Sequence, residues 1–182
     1  LIKTKLISYN VIERLELIIN PLKKYSLELS KYNIENEALS WAKILSNKIP
    51  VIYGSTGTTE TVALRFKGQI QENSKMIAFH NILPEMNHNE IEGWHENKNL
   101  IVLWLKDQDD IIQIKNRISI TKKILENSNI VNKILEVSGN NFIERFLKLI
   151  ILTDWISYYL AILNKKDPSP VEKIQKLKEL LT

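Results

Sequence analysis

Ile49-Pro50-Val51-Ile52-Tyr53-Gly54 is a short, almost wholly apolar run, and Ser55-Thr56-Gly57-Thr58-Thr59-Glu60 follows it without a break. An apolar run of that length, closed by glycine, has the pattern of a strand buried on both faces. The next six residues are a polar turn whose hydroxyls suit a helix N-cap. Behind it Val62, Phe66 and Ile70 keep the four-residue spacing of a helical stripe. Strand, Gly/Ser/Thr turn and helix make one half of a βαβ unit, so a parallel sheet is implied.

The rest of the chain repeats the alternation. Residues 76–83, 100–105 and part of 130–137 supply three further strands, with helical segments expected at 88–95, 109–127 and 140–164. Upstream, residues 6–30 carry Leu6, Ile7, Val11, Ile12, Leu15, Leu17, Ile18 and Ile19 at mostly helical spacing, and Pro21 is expected to break that run. Asn36-Glu37-Ala38-Leu39 opens an amphipathic helix through Trp41, Ile44 and Leu45 that Asn47 can close. After Asp167-Pro168-Ser169-Pro170 a final amphipathic helix, 171–181, places Ile174, Leu177, Leu180 and Leu181 on one side. The expected organisation is a helical arm, 1–35, followed by one α/β domain, 36–182.

At 182 residues the chain has room for one domain plus an extension. A composition 44% hydrophobic and 25% charged, with 5 Gly and 5 Pro, excludes disordered and low-complexity classes. No cysteine is present, so thiolate catalysis, disulfides and Cys-based metal sites are excluded together. The net charge of +4 comes from lysines scattered among acidic residues, which argues against a nucleic-acid partner. The longest apolar stretch, 146–163, is interrupted by Lys148 and Asp154 and reads as a buried helix, not a membrane span. With no secretory pattern at its start, the chain is expected to be cytoplasmic. It opens on Leu1, as a fragment, a processed product or the ordered part of a longer protein would.

Chemistry has few places to reside. The Ser55–Thr59 turn offers N–H groups and hydroxyls at a helix N-terminus, yet it lacks both the Gly-Lys-Ser/Thr ending of a P-loop and the GxGxxG spacing; ordinary capping is the simpler reading. A dense polar cluster, Asn81, Glu85, Asn87, His88, Asn89, Glu90 and Glu92, follows the second strand, where open α/β sheets bind ligands. His88 is its group best suited to proton transfer near neutral pH, although an isolated loop histidine is commonly a surface residue. His80 and His95 stand too far off to share a metal with it. Glu72, off the Val62/Phe66/Ile70 stripe, reads by periodicity as a solvated helix-end carboxylate. Lys173, Lys176 and Lys178 read as a solvated face, and Trp41, Trp94, Trp104 and Trp155 as core or interface aromatics.

Three pieces in order, QENSK at 71–75, AFHNILPEMNHNEIEGW at 78–94 and YYLAILNKKDPSPVEKIQKLKELL at 158–181, change that assessment. With Pro50 to Trp94 as a whole, they resemble the carboxyl-terminal sugar-isomerase (SIS) domain of the bifunctional phosphoglucose/phosphomannose isomerases. The resemblance covers roughly residues 36–182. It implies a flavodoxin-like αβα sandwich with a central, mainly parallel sheet, in a protein that normally has two such domains and works as a homodimer. The implied reaction interconverts glucose 6-phosphate or mannose 6-phosphate with fructose 6-phosphate through an enediolate, with no metal or organic cofactor.

Carried over by motif, the resemblance makes Glu72 the base. His88 assists ring opening, reaching the site of the neighbouring subunit, and Lys178 assists the same step. The three are expected to converge at one cleft of the assembled protein. The family holds its phosphate mainly in the first SIS domain, so this chain is expected to be the carboxyl-terminal half of the usual enzyme. A regulatory SIS domain that binds phosphosugar without turnover is the alternative; the co-occurrence of Glu72, His88 and Lys178 weighs against it.

Overall fold

In the computed structural model, which describes residues 10–181, the strand-turn-helix expectation holds. Strands β1 (Ile49–Ser55), β2 (Phe79–Leu83), β3 (Leu100–Leu105) and β4 (Asn132–Leu135) form one parallel sheet in the order β2-β1-β3-β4. The two central strands are buried on both faces from Pro50 to Ser55 and from Ile101 to Leu105. Alternation along them divides the core in two. Ile52, Ile101, Leu103 and Leu105 enter one half, while Val51, Tyr53, Val102 and Trp104 enter the other.

The first face is covered by α2 (Glu37–Leu45), α3 (Glu60–Asn73) and α5 (Phe142–Leu163), with α1 (Asn10–Ser30) packed outside on α5. The second is covered by α4 (Ile112–Asn127) and by the segment 84–94, which insert Ile114, Ile118, Leu125, Met86 and Trp94. This is the expected α/β sandwich with helical cover on both faces. Gly54 permits the tight βα junction. A Cβ there would lie 2.7 Å from Glu60 Cα and 2.9 Å from Ala63 Cβ, so only glycine lets the first turn of α3 close on β1. Asn36 caps α2, its Oδ1 accepting from the Leu39 N–H at 3.0 Å, while its amide donates to Leu29 O and Tyr159 Oη.

The apolar run in α5 forms the buried helix expected of it. Leu149, Leu152, Ile156 and Leu160 are buried within the chain, between α2 and α3, although α5 is long and apolar enough to cross a membrane. Helix α1 runs through Pro21 instead of breaking. The carbonyl deprived of its N–H partner belongs to Leu17, which is 77% exposed, so water can replace the lost bond. Strand β2 starts at Phe79, not 76, because the preceding residues stay tied to α3: Met76 N–H donates to Ile70 O, and Gln71 donates to Ala78 O. The helix expected over 88–95 is replaced by two 3₁₀ turns, Glu85–Asn87 and Glu90–Gly93. Asn89 leaves helical geometry between them, at φ −142° and ψ −48°. Leu6 and Ile7 lie outside the described residues.

Candidate active site

Glu72 sits in the last turn of α3, exposed, on a helix end that α5 fixes from below. Asn73 Nδ2 donates to Ser157 Oγ at 2.9 Å, Ser74 Oγ donates to Ser157 O at 2.7 Å, and Arg65 grips Asp154 through two bonds of 2.6 and 3.1 Å. The turn after α3 places Lys75 at φ +56°, and its ammonium donates to both Glu72 O and Pro170 O at 2.5 Å. That bridge draws the 166–174 segment against the end of α3. Between the two lies a cleft of about 650 Å³, walled by Glu72, Lys75, Ile77, Lys166, Asp167 and Ile174 among others.

Helix α6 (Glu172–Leu181) forms one side of this cleft with its first residues and buries no residue in the chain. Lys178 lies one turn beyond Ile174 on the same side of the helix, next to the cleft walls and not among them.

His88 is elsewhere. It follows the first 3₁₀ turn beyond the carboxyl end of β2, exposed, its N–H bonded to Glu85 O at 2.9 Å. Because β1 and β2 are parallel, α3 runs back along them. Glu72 is therefore at the amino edge of the sheet and on the α5 face, and His88 is at the carboxyl edge, in the segment covering the α4 face. The five residues of β2 separate those edges, on the order of 16 Å of strand. Within one chain the structure brings Glu72 and Lys178 to the same region and leaves His88 apart from both.

The Ser55–Thr59 turn is closed to an anion. Asp110, 4% exposed, accepts from Ser55 Oγ at 3.3 Å, Thr58 Oγ1 at 2.5 Å and the Asp107 N–H at 3.0 Å. A carboxylate of the chain itself thus occupies the cradle. Nor do the hydroxyls cap α3: Thr59 Oγ1 donates to Leu105 O at 2.8 Å, tying the turn to β3.

Two polar networks join residues far apart along the chain; sequence reading put Asn81 and Glu90 in one cluster but could not pair them with Tyr53 and Trp94. Arg145, 1% exposed, makes two bonds of 2.9 Å to Asp107 and one of 2.6 Å to Asp109. Burial pushes the Asp107 carboxyl up, but Arg145 and the Asp109 N–H outweigh it and hold the group below the usual carboxylate range. In the second network Glu90 accepts from Tyr53 Oη and from Asn81 Nδ2, both at 2.5 Å, and Tyr53 Oη accepts from Trp94 Nε1 at 2.9 Å. Burial first, and then the Glu90 carboxylate, hold the Tyr53 phenol protonated far above its ordinary range.

With this geometry in place, residues 34–181 match the family described as the bacterial phospho-glucose isomerase C-terminal SIS domain. The chain belongs to that family. A bifunctional phosphoglucose/phosphomannose isomerase of Aquifex aeolicus is 42% identical over 168 residues, covering 87% of this chain and 52% of the relative. One of Caldicellulosiruptor bescii is 44% identical over 142 residues, covering 75% and 42%. The SIS chain therefore spans about half the length of the curated relatives it matches. Among solved structures, a glucose-6-phosphate isomerase like protein from Thermus thermophilus superposes with a TM-score of 0.63 at 20% identity, covering 80% of this chain and 47% of that one. That likeness shows a shared SIS fold and no more.

Proposed function

We propose that the chain serves as the carboxyl-terminal half of an aldose–ketose isomerase acting on glucose 6-phosphate or mannose 6-phosphate and fructose 6-phosphate. The observation that carries this reading is Glu72, an exposed carboxylate on the wall of the 650 Å³ cleft, in a domain 42% identical to a bifunctional isomerase of that specificity. Glu72 removes the proton from the carbon beside the substrate carbonyl, leaving an enediolate. It returns that proton to the former carbonyl carbon while the hydroxyl proton passes between the two oxygens, so the new aldehyde or ketone forms on the carbon that lost its proton. One positioned base serves both carbons, and such general acid–base catalysis contributes about 10²–10⁴-fold. Lys75 and Lys166, on the same walls, supply positive charge near the developing oxyanion.

Ring opening moves a proton from the anomeric hydroxyl to the ring oxygen, the task assigned to His88 with help from Lys178. Since His88 and Glu72 of one chain face opposite edges and faces of the sheet, the working unit is a homodimer in which one subunit lends His88 to the other. The substrate phosphate is held by a second SIS domain, as the resemblance to the family implies, and the Ser55–Thr59 turn of this chain is filled by Asp110. Glu72→Gln in the assembled protein tests the base. Isomerisation should fall by about 10³-fold or more while sugar-phosphate binding persists. A Glu72→Gln enzyme that turns over at the wild-type rate contradicts the assignment.

A further inference from the structure

His88 stands between two anchors on the segment that carries it. On one side Met86 is fully buried and Asn87 Nδ2 donates to Thr121 Oγ1 of α4 at 2.9 Å. On the other, the Glu90 carboxylate is turned inward from a 3₁₀ turn and takes one bond from each of two strands. One comes from Tyr53 on β1 and the other from Asn81 on β2. Asn81 in turn accepts the Ile82 N–H at 2.8 Å, and Tyr53 is fixed by Trp94 and by its ring packed 4.8 Å from Trp104. Nothing in this set reaches the Glu72 cleft.

We propose that Glu90 is a positioning residue for ring opening: its two hydrogen bonds clamp the 88–94 segment to Tyr53 of β1 and Asn81 of β2 and so fix where the His88 imidazole is presented. The proposal rests on the reading of His88 as the ring-opening group. Its logic is geometric. Two short polar bonds to a rigid sheet, two residues along from an exposed imidazole, restrict that imidazole more tightly than the loop's own two short turns can. A displacement near 1 Å at a proton-transferring group costs about 10²-fold in rate.

The test is a double-mutant cycle in the assembled enzyme with cyclic substrate. Glu90→Ala should lower kcat by about 10- to 10²-fold with KM nearly unchanged, because Glu90 touches no substrate. Combined with His88→Ala it should add nothing to the loss that His88→Ala causes alone. The pair Glu90→Gln with Asn81→Asp offers a rescue. The new amide can accept from Tyr53 and donate to the new carboxylate, whose other oxygen still takes the Ile82 N–H. That pair should recover most of kcat, whereas Glu90→Gln alone should not. Should Glu90→Ala fail to fold, Tyr53→Phe removes one of the same two bonds and enters the cycle in its place. Losses that multiply between Glu90→Ala and His88→Ala, or a wild-type kcat in Glu90→Ala beside a depressed His88→Ala, overturn the proposal and leave the role of His88 standing. A wild-type kcat in His88→Ala overturns that role, and the proposal falls with it.

Discussion

Arg145 is a cation removed from water and held by two carboxylates, one of which, Asp107, is itself buried. Removing one partner of such a pair leaves an uncompensated buried charge, so Arg145→Met should lower unfolding free energy by about 3–5 kcal/mol, read from urea denaturation. The same pair sets an acid limb. The folded Asp107 carboxyl titrates below its unfolded range, so its contribution is complete above the unfolded value and is lost as pH falls through the folded one. Asp107's share of the urea midpoint should be constant above the unfolded carboxylate range and be lost as pH falls through it toward the folded value, and Asp107→Asn should flatten that decline. An equally steep acid limb in Asp107→Asn would assign it to other groups. Residues of this kind are hidden in the sequence: Arg145 and Asp107 are 38 positions apart, and only the meeting of β3's end with α5's first turn joins them. Glu72, by contrast, is indistinguishable by periodicity from any solvated helix-end carboxylate, and the QENSK motif alone singles it out.

Elements were legible where burial on both faces wrote itself into composition. β1 and β3 are apolar because they are central, α3 keeps its Val62/Phe66/Ile70 stripe because that side faces the core, and α5 is apolar over most of its surface because α1, α2 and α3 pack on it. The edges were less legible. β2 has neighbours on one side only and leaves Phe79 54% exposed, so its apolar pattern continues past the point where pairing begins. The segment 88–95 has helix-compatible residues but spends Glu90 on the sheet, a tertiary contact that overrides local preference. At this scale the sharpest constraint is the β1–α3 junction. Gly54→Ala forces a methyl group against Glu60 Cα, Thr59 O and Ala63 Cβ, at 2.7 to 2.9 Å. It should destabilise by about 1–3 kcal/mol or more. It should also lower activity by displacing α3, whose far end carries Glu72. Calorimetry of the variant with an unchanged Tm would show that the junction has slack.

Taken whole, the molecule presents its chemistry at two separated places. On the proposed reading the base, Glu72, stands beside a cleft at the amino edge of the sheet, and the ring-opening histidine, His88, lies at the opposite edge and over the opposite face. The parallel topology makes that separation unavoidable in one chain, since each βα crossover returns the chain to the edge it left. The proposed reading therefore requires sites completed between subunits, and mixing two impaired variants tests it most directly. Glu72→Gln and His88→Ala proteins, unfolded together and refolded at equal ratio, should form hybrids in which one of the two sites has an intact Glu72 and an intact His88. Random pairing should restore about one quarter of wild-type activity, well above the sum of the two variants. If the mixture shows no more activity than the variants measured separately, Glu72 and His88 do not serve one site across the subunit boundary.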